Sequence, residues 1–406
     1  MPPVSLRARY GKPSHPEGPV NHTPSSIYKI HFRHPGYPDS LNILLSLPVL
    51  DGGGIHHETA RVACAILANS SWDGFLSETQ TGDEVDGDPD ALLTSPNYYF
   101  RLPSSDQFED GKYPVVPDFY SFTFPQDLPH SWRSDSLGIP MATGQPREAN
   151  FSSAVLNRDN SCRITNHRLG TESAHLVPRT EQSWFERNTM FRYLAGNMNR
   201  TPDDPRNVML LRSDIHTLFD KKNFVIVPKH GAWVVHVLSG EVDGELATLY
   251  HNVQLQQLES IAVEFLFARF AWTIFASSTF VLSDVKRMLV TIRPGTGDKV
   301  CLELTGSQYR AKFKPKDASR SRSRNSRKRT YGDTVEDEAA VLSDTSDEES
   351  ESESELRGRP RRRIVYGDIA ASYAESNSTS ISRSTADRKI PDTRRQQRGP
   401  NIIMDE

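Results

Sequence analysis

The stretch from Cys162 to Asp220 limits the possible fold more than any other part of the chain. Ser173-Ala174-His175-Leu176-Val177-Pro178 reads as a short apolar strand that carries a histidine and stops at a proline, which has no N–H to continue a ladder. Asn207 opens a second apolar run, Val208 to Arg212, and Ser213 or Asp214 is placed to cap a short helix reaching Asp220. On that helix His216 and Asp220 stand one turn apart and share a face. Phe224 to Pro228 and Trp233 to Leu238 then flank a Lys229–Ala232 turn, a hairpin pattern. The expectation is a β-β-α unit with one imidazole at a strand end and an imidazole–carboxylate pair on the helix.

That set has a definite chemistry. A neutral imidazole such as His175 can take a proton from water. His216 with Asp220 can share a cation, holding Mg²⁺ weakly and Mn²⁺, Zn²⁺ or Ni²⁺ better. A base and a cation together are what phosphodiester hydrolysis requires. The side-chain amide of Asn207 is expected to bond across the loop and hold His175 in aim, and Arg179, Arg212, Lys221 and Lys222 are candidate phosphate contacts. Taken singly, each has a plainer reading: a strand histidine is usually structural, and Asp220 can simply neutralise Lys221 and Lys222. The combined spacing, Ala-His-x-x-Pro followed by Asn-x₈-His-x₃-Asp, is far more specific. His167, His230, His236 and His251 lack partners at useful spacing and read as surface or packing residues. His56 and His57, at a helix start without cysteines, read as solvated.

At these residues the chain resembles the HNH endonucleases, whose core is the ββα-metal fold. The resemblance implies that His175 is the general base, that Asn207 braces the loop and that His216 binds the metal, with Asp220 where some members carry a second ligand. It further implies DNA as the partner, approached at the minor groove and cut to leave a 3′-hydroxyl and a 5′-phosphate. One departure stands out. Many members carry Asp or another ligand immediately before the base histidine, where this chain has Ala174; the loss should weaken metal binding, with Glu172, Asp214 or the substrate phosphate left to compensate. The wording around these motifs, with Phe32-Arg33-His34-Pro35-Gly36-Tyr37 upstream, also resembles uncharacterised fungal proteins of this type.

The remainder of the 406 residues falls into segments of contrasting composition. Residues 1–25 are rich in Pro, Gly, His and Ser and are expected to lack structure. Residues 26–130 read as a smaller α+β unit of unassigned role: a strand at Ile27–Phe32, a helix or buried strand at Leu41–Leu50, a helix over His56–Asn69, and strands at Tyr98–Phe100 and Phe119–Phe122. Gly52-Gly53-Gly54 has no following Lys-Ser/Thr and reads as a turn, not a phosphate loop. The hydrolytic domain spans about 150–250, with a strand at Cys162–Thr165 and a capping box at Ser183–Glu186 opening a helix that ends near Gly196. Residues 253–312 hold a long helical pattern, Leu255 to Leu282, and short strands. Its apolar part, from Phe270 to Leu282, is about 13 residues against the roughly 20 a membrane span needs, so it reads as a buried docking helix.

Beyond residue 313 serine, arginine and acidic runs leave too little apolar surface for a core. The basic clusters read as nuclear-import signals; Arg357-Gly358-Arg359-Pro360 also resembles an AT-hook core, with the import signal preferred. Cys64, Cys162 and Cys301 are an odd number without a Cys-x-x-Cys pair, which excludes a disulfide framework and fits an intracellular protein. No apolar run follows Met1, so no secretory signal is expected.

The sequence therefore points to an α+β protein: a ββα-metal (HNH-type) nuclease domain beside a smaller N-terminal α+β unit, with a long C-terminal helix and a disordered charged tail. The function expected is divalent-metal-dependent cleavage of DNA in the nucleus. The alternatives are a catalytically inactive nucleic-acid-binding or nuclear interaction protein and a purely structural adaptor.

Overall fold

The structure, a computed structural model, describes residues 4–10, 28–85, 87–103, 108, 111–133, 137, 139, 151–195, 200–238 and 244–313. The charged tail, its basic clusters and Gly196 lie outside the described residues. The chain begins with β1 (Lys29–Arg33), β2 (Ile43–Pro48), β3 (Ile55–His56), α1 (His57–Leu67), β4 (Phe75–Ser77), β5 (Leu92–Leu93) and β6 (Asn97–Arg101). There follow α2 (Phe151–Asp159), β7 (Thr171–His175), α3 (Gln182–Arg187), β8 (Val208–Arg212), α4 (Ser213–Asp220), β9 (Phe224–Lys229) and β10 (Ala232–Val237). The described chain closes with α5 (Glu245–Tyr250), α6 (Val263–Ser277), β11 (Arg287–Ile292), β12 (Lys299–Leu304) and α7 (Gly306–Phe313). This is a mixed α+β architecture, as the sequence implies.

One mixed sheet orders β2-β1-β6-β4, with β1 parallel to β6 and the other two pairings antiparallel. The remaining strands form two-stranded ribbons, β3 with β5, β7 with β8, β9 with β10 and β11 with β12. The β9–β10 hairpin turns on His230 and Gly231, both at positive φ (48° and 69°), the backbone that a two-residue turn of matching twist requires. A single cluster of buried residues runs from Ile30 through the ribbons to Val290, and the described residues belong to one compact unit. Helix α6 sits at its centre. Eleven of its side chains, among them Phe265, Phe267, Phe270 and Ile274, are buried, and it packs on β9 and α1. Apolar contact on nearly every face is what makes this helix a hub rather than an amphipathic surface element. No described helix is long and apolar enough to cross a membrane.

Several local expectations are corrected. The helix read over Leu255–Leu282 is confined to α6. Ser260 at φ 52° interrupts it, and the backbone N–H groups of Leu255, Gln256 and Ala262 bond to Trp233, Arg163 and Arg206 instead of to their own helix. Cys162–Thr165 is a turn, not a strand, closed by Asn166 N–H on the Cys162 carbonyl. Phe119–Phe122 is likewise a turn whose rings pack on Trp184. The Ser183 capping box does not form: Glu181 is the N-cap, Glu186 accepts from Gln182, and Thr189 at φ 52° ends the helix early. Neither Ser213 nor Asp214 caps α4, whose N-cap is Arg212. Residues 4–10, expected to lack structure, lie against 248–254 through backbone bonds of Arg7 with Asn252 and Gln254.

Candidate functional site

The β7–β8 ladder sets Thr171 opposite Arg212 and His175 opposite Val208, so His175 stands at the last rung before the chain leaves the sheet. Leu176 N–H adds one more bond, to the Asn207 carbonyl at 2.8 Å. The Asn207 side chain is fully buried and saturated: Oδ1 accepts from Val177 N–H, and Nδ2 donates to the carbonyls of Val177 and Pro202, each at 2.9 Å. It does not touch the His175 ring, so the direct bond expected from sequence is replaced by an indirect one. Asn207 ties the exit of β7 to the loop beginning at Pro202, and the next residue of that loop, Asp203, holds the histidine.

Asp203 Oδ1 lies 2.9 Å from His175 Nε2 and 2.6 Å from Arg179 Nε. A nitrogen that faces a carboxylate carries the proton, which leaves Nδ1 of His175 with its lone pair; among the described residues nothing hydrogen-bonds that atom. Phe151 of α2 stacks on the ring at 5.9 Å. Burial lowers the pKa of His175, the Asp203 hydrogen bond opposes that shift, and the charges of Arg179 and His216 add to it. The ring is therefore neutral and able to accept a proton at neutral pH. Burial would raise Asp203, but hydrogen bonds from Arg179 and His175 hold its carboxyl below the usual range. Asp203 has no place in the sequence pattern that marks the site; it lies in a Pro202-Asp203-Asp204-Pro205 loop. A carboxylate between two prolines, set just before the bracing asparagine, was the signal available.

His216 of α4 stands between two carboxylates, with Nδ1 3.0 Å from Glu172 and Nε2 3.3 Å from Asp220. The carboxylates engage opposite edges of the ring, so one ion cannot take both together with the same nitrogen. A cation at Nε2 would have Asp220 as co-ligand, while Glu172 receives the Nδ1 proton and fixes the ring, the usual arrangement around metal-binding imidazoles. Ala174 is fully buried on the core side and offers nothing. The side chains present thus fit a divalent ion with two protein ligands, leaving its other positions to water and phosphate.

Behind this pair lies Arg269 of α6, 1 % exposed. Its guanidinium reaches the carbonyls of His175 and Leu176 at 3.4 and 3.5 Å, the carbonyl of Phe219, and Asp220 at 3.7 Å, and it stacks on the Phe219 ring at 3.6 Å. Burial brings its pKa down to about 9. One buried charge therefore links the end of β7 to the end of α4. Its sequence signal was a lone arginine inside an apolar helix. Of the candidate phosphate contacts, Lys221 is exposed and Arg179 is 67 % exposed on Asp203. Arg212 is engaged by both oxygens of Asp214. Lys222 lies over the Trp272 ring at 3.5 Å, and burial lowers it to about 8.

A family model described as HNH endonuclease matches residues 162–227. The chain carries an HNH endonuclease domain. No curated protein and no solved structure matches the chain. The HNH match takes in the Cys162 turn, both strands, α4 and the Asp203 loop. It stops short of α6, so Arg269 braces the HNH domain from outside it.

A second polar cluster, also outside the HNH match, was missed from sequence. Asp51, His236 and His251 bring ligand-type atoms within 4.8 Å of one another, all buried. The space between them is filled: Lys229 Nζ donates to Asp51 Oδ1 at 2.7 Å, to His236 Nδ1 at 2.9 Å and to Asn252 Oδ1 at 2.8 Å. Three donors meet three acceptors, so an ammonium already occupies the place of a cation. His230, also read as unpartnered, pairs with Asp90 at 3.3 Å. His56 is buried on Asp90 and Thr59 rather than solvated, and His57 is buried too.

Proposed function

We propose that the HNH domain hydrolyses phosphodiester bonds of nucleic acid, DNA in the first instance. His175 is the general base, Asn207 the loop brace, and His216 with Asp220 the metal pair. The observation that supports this best is the orientation of His175, whose Nε2–H is held by Asp203 while Nδ1 keeps its lone pair. In the reaction His175 would take a proton from the attacking water at Nδ1 and stay aimed through Asp203. Arg179 and Lys221 would meet the backbone phosphates, with Arg212 and Lys222 set farther back on Asp214 and Trp272. A divalent ion, when bound, supplies charge for the developing phosphorane and the leaving oxygen. The nuclear setting rests on the basic clusters of the tail alone.

A second reading is favoured by one observation, the burial of Ala174 where a further ligand would stand: a domain that retains nucleic acid without cutting it. Nicking of supercoiled plasmid by the full chain with Mg²⁺, Mn²⁺ or Ni²⁺, against EDTA, separates the two. Metal-dependent nicking that falls at least about 10²-fold in His175→Ala is expected. Plasmid binding without nicking in any metal would favour the second reading, and nicking that survives His175→Ala would overturn the role given to that residue.

A further inference from the structure

Two side chains share one oxygen in the HNH domain. Asp203 Oδ1 accepts from His175 Nε2 at 2.9 Å and from Arg179 Nε at 2.6 Å. The partners differ in access: the Arg179 side chain is 67 % exposed and that of His175 only 18 %. Asp203 itself is not free to follow Arg179 outward. Its predecessor, Pro202, is held by Asn207 through a 2.9 Å bond, and its successor, Asp204, accepts from the backbone of Arg206 at 2.9 Å and from that of Ala195 at 3.2 Å. The carboxylate is fixed, the histidine is fixed, and the arginine is the part that can leave.

An exposed guanidinium beside a catalytic imidazole is where a backbone phosphate would arrive, since Arg–phosphate pairs are strong and frequently bidentate. We propose that Asp203 is a positioning residue that links substrate capture to the base: a phosphate that draws Arg179 off the shared oxygen leaves the carboxylate to His175 alone. The inference rests on the reading of His175 as base and adds how that base is regulated. Free protein keeps Asp203 half-neutralised by Arg179, so the histidine is a weaker base. With substrate bound, the undivided carboxylate stabilises the imidazolium that proton abstraction creates, and the base strengthens when it is needed.

The other groups around His175 leave this coupling distinct. His216 on α4 contributes a charge when protonated. From α6, Arg269 meets the His175 carbonyl and not the ring. On α2, Arg158 is paired with Asp159 at 2.7 Å, and Phe151 is apolar. Among the described residues, only Arg179 shares the histidine's own acceptor.

The test is a titration of the His175 ring by proton–carbon NMR on the full chain in EDTA, for wild type, Arg179→Gln, Asp203→Asn and the double variant. Arg179→Gln is expected to raise the His175 pKa by about half a unit or more, Asp203→Asn to lower it, and Arg179→Gln to raise it by much less once Asn stands at 203, where only the direct charge effect of the guanidinium is left. Adding a short DNA duplex should raise the wild-type value by clearly more than that of Asp203→Asn, where only the direct effect of the phosphate charge acts. A merely structural ion pair would show no such interdependence. Equal shifts from Arg179→Gln in both backgrounds would mean that the arginine acts directly through space, and no shift in either would mean that it does not act; each overturns the coupling. The titration needs neither metal nor turnover. Coupling without plasmid nicking would therefore sink only the nuclease reading, and nicking without coupling only this one.

Discussion

Asn207 accounts for more of the site's geometry than any residue that would touch substrate. Its amide serves three backbone groups, two on Val177 and one on Pro202, in a fully buried position. In Asn207→Ala these groups lose their partners with no water to replace them, and an unmet buried polar group costs about 1–3 kcal/mol. The expected loss of stability in urea unfolding is about 2–5 kcal/mol, with the Asp203 loop released from β7. Asn207→Asp is the sharper variant: it keeps the acceptor for Val177 N–H but turns two donated bonds into oxygen–oxygen repulsion. It should be no more stable than Asn207→Ala, and a near-wild-type midpoint for Asn207→Asp would show that the brace does not matter. That the amide of this asparagine bonds across the loop was legible from its place before a strand. What it braces was not. The partner of His175 lies in a loop whose sequence, Thr-Pro-Asp-Asp-Pro, reports only that regular structure stops.

At the scale of elements, three segments far apart in sequence are pinned by one ammonium: the turn after β2 through Asp51, the β9–β10 hairpin through Lys229 and His236, and the segment after α5 through His251 and Asn252. Burial would raise the Asp51 pKa, but the Lys229 charge and the His251 hydrogen bond more than reverse it, while burial lowers Lys229 against the opposing pull of Asp51. Lys229→Met leaves a buried carboxylate without its counter-charge, a change that typically costs about 3–5 kcal/mol. That loss should appear in urea unfolding. Once the ammonium is gone, Asp51, His236 and His251 present a ligand set suited to Zn²⁺, so zinc should raise the melting temperature of Lys229→Met and not that of wild type. A loss under about 1 kcal/mol, or equal stabilisation of both proteins by zinc, would refute the account. None of this was legible from sequence. The β7–β8 and β9–β10 strands and the His-x₃-Asp helix are local signals and were read correctly, whereas Asp51 and Lys229 meet across 178 positions and no periodicity links them. The same limit explains residues 255–262, whose apolar spacing mimics a helix while their backbone bonds go to distant strands.

The whole molecule has an unusual store of neutral, buried histidines, and that store governs its response to acid. Burial lowers His34 to about 3 and His57 to about 4, and it lowers His56, His236 and His251 as well. His34 shows how the neutral form is held: Nε2 donates to the Tyr113 carbonyl at 2.9 Å while Nδ1 accepts from Gly36 N–H at 3.0 Å, so an added proton would break a bond as well as bury a charge. In the unfolded chain these rings take up protons near pH 6.5. Because the folded pKa values are depressed, the stabilising difference is complete above pH 6.5 and is lost as pH falls below it toward the folded values. Each ring that stays neutral contributes a slope of about 1.4 kcal/mol per pH unit. Carboxylates do not obscure the effect between pH 7 and 5, since even unfolded they titrate lower, and Lys222 and Arg269 are protonated in both states throughout that range. Urea unfolding at pH 7, 6 and 5 should therefore give stabilities that fall with increasing steepness, by several kcal/mol over the range. His175, the proposed base, should behave in parallel. Since its pKa in the free protein is also lowered, the acid limb of nicking at subsaturating plasmid, which reports the free protein, should lie below pH 6.5, so activity is expected to persist at a pH where the fold has begun to lose stability. A flat stability between pH 7 and 5 would mean that the buried rings accept protons after all, and an acid limb above pH 6.5 would place the activity on a group other than His175.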